Sequence, residues 1–70
     1  MSYELTVGAP EKKWMLADTE DAEQLVEVLA AAARDGHAVD FATSDGTTIW
    51  LNPAALGWWY VSEYIPPTVY

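Results

Sequence analysis

Ala38-Val39-Asp40-Phe41-Ala42-Thr43-Ser44-Asp45-Gly46-Thr47-Thr48-Ile49-Trp50-Leu51-Asn52 reads as two alternating runs on either side of a turn. Side chains in a strand alternate between faces, so Val39 and Phe41 oppose Ala38, Asp40 and Ala42, while Ile49 and Leu51 oppose Thr48, Trp50 and Asn52. A two-residue Asp45-Gly46 loop would set Ala42 against Ile49 and Phe41 against Trp50, mixing the apolar sets across the two faces. A three-residue loop, Ser44-Asp45-Gly46, sets Phe41 against Ile49 and Val39 against Leu51. The register therefore predicts a type I turn with Gly46 left-handed in a bulge. Trp50 is then left on the far face.

Immediately upstream, the chain from Asp18 or Thr19 to Asp35 has the marks of a helix. Asp18 or Thr19 can cap it, and Glu20, Asp21 and Glu23 sit where the helix dipole favours anions. Arg34 falls in the last turn and Gly36 where a left-handed C-cap belongs. At about 100° per residue, Ala22, Leu25, Val26, Leu29, Ala32 and Ala33 form one stripe, with Glu20, Glu23, Gln24, Glu27 and Arg34 opposite. Such a helix covers a sheet with its apolar side and shows water an acidic one.

Downstream, Asn52-Pro53-Ala54-Ala55-Leu56-Gly57 reads as a turn, with Pro53 able to start one helical turn behind an Asn52 cap. Trp58 to Ile65 is the last strand, stopped by Pro66-Pro67, which cannot donate to a ladder. Near the N-terminus Tyr3, Leu5 and Val7 alternate with Glu4 and Thr6. A loop from Gly8 to Glu11 follows, and Lys12 to Ala17 can return as a second strand. The order β-β-α-β-β-β describes a two-layer α+β domain, a mostly antiparallel sheet of four to five strands with one helix on one face. Residues 1–65 are expected to form this single domain and 66–70 an extended tail.

Gly57-Trp58-Trp59-Tyr60-Val61 makes both faces of the last strand apolar. If Trp59 and Val61 share the core with Val39, Phe41, Ile49 and Leu51, then Trp50, Trp58, Tyr60 and Tyr64 face away from it. At about 150–250 Å² per aromatic side chain, those four represent roughly 600–1,000 Å². That exceeds the roughly 300–600 Å² of the largest patch on an ordinary monomer and matches the roughly 800 Å² that each partner gives to a standard interface. A homo-oligomer, a dimer first, sharing this face or the exposed edge of the last strand is the expectation. Coverage by Trp14 and the 66–70 tail, or use of the rings as a platform for a sugar, peptide or proline-rich ligand, are the alternatives.

Composition limits the chemistry. The 70 residues suffice for one domain, and with no cysteine there are neither disulfides nor thiolate metal sites. Eleven acidic residues against Lys12, Lys13 and Arg34 give a formal charge of −8. That charge disfavours direct nucleic-acid binding, because aromatic platforms for nucleic acids need basic residues around them, and it disfavours anionic membranes. No apolar run approaches the roughly 18 residues of a membrane span, and no apolar leader opens the chain, so a soluble, cytoplasmic protein is expected. His37 stands alone, no Ser lies in a nucleophile elbow, and the four glycines are scattered singly, so no phosphate loop exists. Glu20, Glu23 and Glu27 share a helix side at a spacing that can hold a cation, but exposed carboxylates without a cavity are normally solvated. No catalytic residue, cofactor or metal is expected. Asp40 and Glu63 stand out because their chain neighbours are apolar: either the strand frays before Glu63, or Glu63 is a partly buried acid with a partner.

The hairpin and Asn-Pro turn from Asp45 to Val61 loosely resemble a stretch of small flagellar proteins of the FlbD type, with no function implied. Abundant alanine and scarce lysine suggest a high-GC bacterial genome or its phage. Two functions follow as expectations. One is a small non-enzymatic protein acting by self-association and protein–protein contact through Trp50, Trp58, Tyr60 and Tyr64. The other is an acidic decoy, phage-encoded in the sharpest form, that occupies a basic partner through Glu20, Glu23, Glu27 and Asp35.

Overall fold

A computed structural model describes residues 2–8 and 10–65. One helix and five strands follow the expected order in an α+β fold: β1 (Ser2–Gly8), β2 (Lys12–Met15), α1 (Ala22–Asp35), β3 (Val39–Ala42), β4 (Thr48–Leu51) and β5 (Trp58–Tyr64). The strands divide between two antiparallel ladders, β2-β1-β5 and β3-β4. Residues beyond β2 join them: Leu16 bridges Thr43, Ala17 N–H donates to the Ala42 carbonyl at 3.0 Å, and Ser44 N–H donates to the Met15 carbonyl at 2.9 Å. Leu16 N–H still donates to the Tyr3 carbonyl at 2.9 Å. The chain leaving β2 thus turns a corner from one ladder to the other, which is why five strands make two short sheets rather than one. The 66–70 tail lies outside the described residues.

The hairpin adopts the register that its apolar residues require, with Phe41 opposite Ile49 and Val39 opposite Leu51. Thr43 N–H donates to the Thr47 carbonyl at 2.8 Å, Gly46 N–H donates to the Thr43 carbonyl at 3.0 Å, and Gly46 has φ 89°. This is the three-residue loop with a left-handed third position. Asp45 braces it, its Oδ1 accepting from the Thr43 hydroxyl and, at 3.1 Å, from Thr47 N–H.

Helix α1 starts later than its charge pattern suggests. Asp21, not Asp18 or Thr19, is the N-cap, accepting from Glu23 N–H at 3.1 Å and Gln24 N–H at 3.2 Å. The preceding residues form a turn instead, with Glu20 N–H donating to the Ala17 carbonyl at 3.0 Å. At the other end Gly36 has φ 77°, and the Ala32 carbonyl accepts from Gly36 N–H at 2.7 Å and His37 N–H at 3.2 Å, closing the helix with a left-handed residue. Asn52 caps the 3-10 turn Pro53–Ala55 by accepting from Ala54 N–H at 3.2 Å.

Between helix and strands, Leu25, Leu29 and Ala32 meet Leu5, Val7, Leu16, Val39, Phe41 and Leu51 in one apolar cluster. Trp59, Val61 and Ile49 pack against it from the positions their alternation assigns, and Trp14, offered by the sequence as cover for the far face, packs on the core instead, its ring meeting Phe41 edge-on at 5.8 Å and 67°. Val26, expected on the buried stripe, is exposed, and Val28 packs toward the core instead. With buried positions spaced i, i+4, i+7, the stripe runs down the Leu25–Leu29–Ala32 line and passes Val26 by.

Two tests follow. Gly46→Ala is expected to cost about 1–2 kcal/mol in denaturant unfolding, because a β-carbon at that φ meets the following carbonyl. Asp45 is held below the ordinary carboxylate range, chiefly by the Thr43 hydroxyl and then by Thr47 N–H. A depressed folded-state value means that its contribution to stability is present above about pH 3.9 and is lost as pH falls through the lowered value. Carboxyl carbon shifts are expected to show Asp45 titrating below the ordinary aspartate value, and Thr43→Val is expected to raise its midpoint toward that value.

Candidate interaction surface

The β1–β5 ladder runs from Ser2 opposite Tyr64 to Gly8 opposite Trp58, with Leu5 opposite Val61 and Val7 opposite Trp59 at the core. Alternation then puts Trp58, Tyr60, Ser62 and Tyr64 on the outer face beside Gly8, Thr6, Glu4 and Ser2. Trp58 and Tyr60 stack, with ring centroids 5.9 Å apart and planes within 16°, an offset arrangement that aromatic pairs favour. The Trp58 indole also lies across Gly8, where a β-carbon would overlap Cε2 and Nε1. This is an aromatic ring filling the gap left by a cross-strand glycine. Gly8 belongs to β1 and not to the following loop. The sequence signal is its place one step past the Tyr3-Leu5-Val7 alternation, but its partner becomes visible only with the β1–β5 register.

Because of these contacts the rings are half-covered by the chain itself: 46% of Trp58 and 47% of Tyr60 remain exposed. Thr6, on the outer face between Lys13 of β2 and Tyr60 of β5, is only 1% exposed. Tyr64 is half-buried opposite Ser2. Trp50 is 69% exposed but stands on β4, opposite Asp40, in the other ladder. Among the described residues the ring pairs are Trp58–Tyr60 and Trp14–Phe41, so Trp50 is not stacked with the β5 rings. The roughly 600–1,000 Å² expected for four fully presented rings therefore shrinks. Trp58 and Tyr60 together leave on the order of 150–250 Å².

The acidic side of the molecule also differs from expectation. Glu23, Glu27 and Asp35 are exposed on α1, but Glu20 precedes the helix, is half-buried, and accepts from Ala42 N–H at 3.2 Å through Oε1. It tethers the helix entry to β3 rather than facing water. Asp35 lies 3.6 Å from the Arg34 guanidinium in an exposed pair, worth about 0–1 kcal/mol at most. Glu63 neither frays out nor is buried: β5 continues through Tyr64, and Glu63 is an exposed residue opposite Tyr3. Asp40 is exposed, and His37 is an exposed residue just beyond the helix cap with Nδ1 3.4 Å from the Ala38 carbonyl.

Surface hollows lie beside several carboxylates. One of about 300 Å³ lies between Tyr3, Leu16 and the Asp18–Glu23 turn, and one of about 380 Å³ between Lys13, Trp14, Thr43, Asp45 and Ile49. The carboxylates Glu20, Asp21 and Asp45 that border them already accept backbone N–H groups. Among the described residues no three His, Asp or Glu side chains are placed to share a metal ion, and no helix is long and apolar enough to cross a membrane. No family model, curated protein or solved structure matches the chain.

Gly8→Ala is expected to displace the Trp58 ring from β1 while leaving the fold in place, because the half-exposed indole can swing outward. The reporter is NMR: the ring-current shifts on Tyr60 collapse and the Trp58 Nε1–H resonance moves toward its solvent-exposed position.

Proposed function

We propose that this chain is a small non-enzymatic protein that acts by self-association and by contact with other proteins, with the stacked Trp58–Tyr60 pair as its anchor. The observation that carries this is a preorganised apolar pair, fixed on Gly8 and half open to solvent, on a molecule whose remaining surface is strongly acidic. Large rigid aromatic rings are the residues that concentrate binding energy at interface centres. Their area alone is well below the roughly 800 Å² per partner of a standard interface, so the assembly is a weak one. With −8 on each copy, self-association works against like-charge repulsion.

Sedimentation equilibrium is expected to show mass rising with concentration into the high-micromolar range, and to show tighter association as salt screens the charge. Trp58→Ser is expected to weaken association about tenfold or more while shifting the unfolding midpoint little. A clean monomer at high micromolar concentration would remove the proposal. The exposed carboxylates of Glu23 and Glu27 support a second reading, an acidic decoy for a basic protein. It predicts the opposite salt response, weaker binding as salt rises, and loss of binding on Glu23→Lys/Glu27→Lys. Those two signs separate the readings.

A further inference from the structure

The strand that carries the aromatic pair is also an edge strand. In the order β2-β1-β5 the inner side of β5 is fully paired along β1, and among the described residues its outer side has no main-chain partner. An antiparallel edge presents the N–H and C=O of every second residue outward. Edges of this kind are normally guarded by short length, lysine, proline or a bulge. β3 and β4 have four residues each, and β2 has four that begin Lys12-Lys13, whereas β5 has seven with Glu63 as its single charge. The largest unguarded hydrogen-bonding edge thus borders the half-exposed rings. The outer face itself is partly closed by the chain's own side chains, with Thr6 and Gly8 buried beneath them.

We infer that the occupant of this edge is β5 of a second copy, paired antiparallel about a two-fold axis at Val61 to make a continuous six-stranded sheet. The inference rests on the self-association proposed above and specifies its geometry. Self-complementarity favours the second copy, and two further constraints fix the register. First, an antiparallel pair of identical strands is self-complementary about a two-fold axis, so one strand supplies both donors and acceptors. Second, a one-residue slip would set outer-face rings against core-face side chains, so the axis must pass through a residue and not between two. Third, an axis at Val61 engages all seven residues, whereas an axis at Tyr60 or Ser62 leaves strand residues beyond the overlap. With Val61 on the axis, Trp58 lies opposite Tyr64 and Tyr60 opposite Ser62 of the second copy, so each stacked pair is continued by a tyrosine. Ile65, 78% exposed, falls opposite Gly57, which has no side chain to obstruct it. Glu63 falls opposite Trp59, and no two carboxylates meet. Backbone hydrogen bonds thereby add to an aromatic area that is too small alone.

Amide hydrogen exchange of the full chain at about 20 µM and about 1 mM, alongside sedimentation, tests this. Alternate amides of residues 58–64 are expected to exchange about tenfold or more slowly at the higher concentration, while their neighbours, already bonded to β1, do not change. Ser62→Glu, which sets two carboxylates about 7–8 Å apart across the axis, is expected to weaken the dimer about tenfold at low salt and to recover in high salt. Association without alternating protection in β5 would overturn edge pairing while leaving self-association through the ring face intact. Alternating protection already complete in a dilute monomer would overturn it too, because the chain would then cover its own edge. Absence of any association would overturn both proposals.

Discussion

The rest of the molecule depends on the seven-rung ladder between β1 and β5. It joins the two ends of the described chain, and by placing Leu5 against Val61 and Val7 against Trp59 it decides which ring of the Trp58-Trp59 dipeptide enters the core. A slip of one rung would turn Trp58 and Tyr60 inward and Trp59 and Val61 outward. The cluster of Leu25, Leu29 and Phe41 is built for one of these arrangements. Burying an aromatic side chain is worth about 2–3 kcal/mol, so helix and hairpin together hold the ladder in register.

From the same ladder comes the asymmetry of the surface. Gly8 is the last rung, and its missing side chain is where the Trp58 indole lies. Trp58 then holds Tyr60 in a stack, and the Tyr60 ring stands beside Thr6. One backbone position without a β-carbon therefore seats the Trp58 ring on which Tyr60 stacks, and about half of each ring residue stays open to water. The corner at Leu16–Thr43 has the complementary effect. By diverting the chain after β2 into the β3–β4 ladder it leaves β5 at the end of a three-stranded sheet, and it separates Trp50 from the other rings.

Much of this was legible in the residues. Alternation and turn chemistry were sufficient for the hairpin, because only a three-residue loop brings Val39, Phe41, Ile49 and Leu51 to one face. Gly36 and Asn52 were legible as caps for the same local reason. The helix start was not, since Asp18, Thr19 and Asp21 are equally good caps in isolation; the choice fell to Asp21 once the Glu20 carboxylate engaged Ala42 N–H across 22 positions. Trp50, Trp58, Tyr60 and Tyr64 were legible as outward-facing, but not as divided between two ladders, because local alternation carries no information about which strands pair.

By itself the sequence determined the element order, the hairpin register and the inward or outward sense of the residues in β1, β3, β4 and β5, all of which follow from a period of two or 3.6 acting over a few neighbours. Tertiary structure decided what lies beside what: that β5 pairs with β1, that Gly8 receives Trp58, that Glu20 leaves the acidic face, and that among the described residues the outer side of β5 has no main-chain partner. Those outcomes depend on contacts between residues distant in the chain, 22 positions for Glu20 and Ala42 and fifty or more for β1 and β5, where many arrangements are locally acceptable and burial of a common core selects among them.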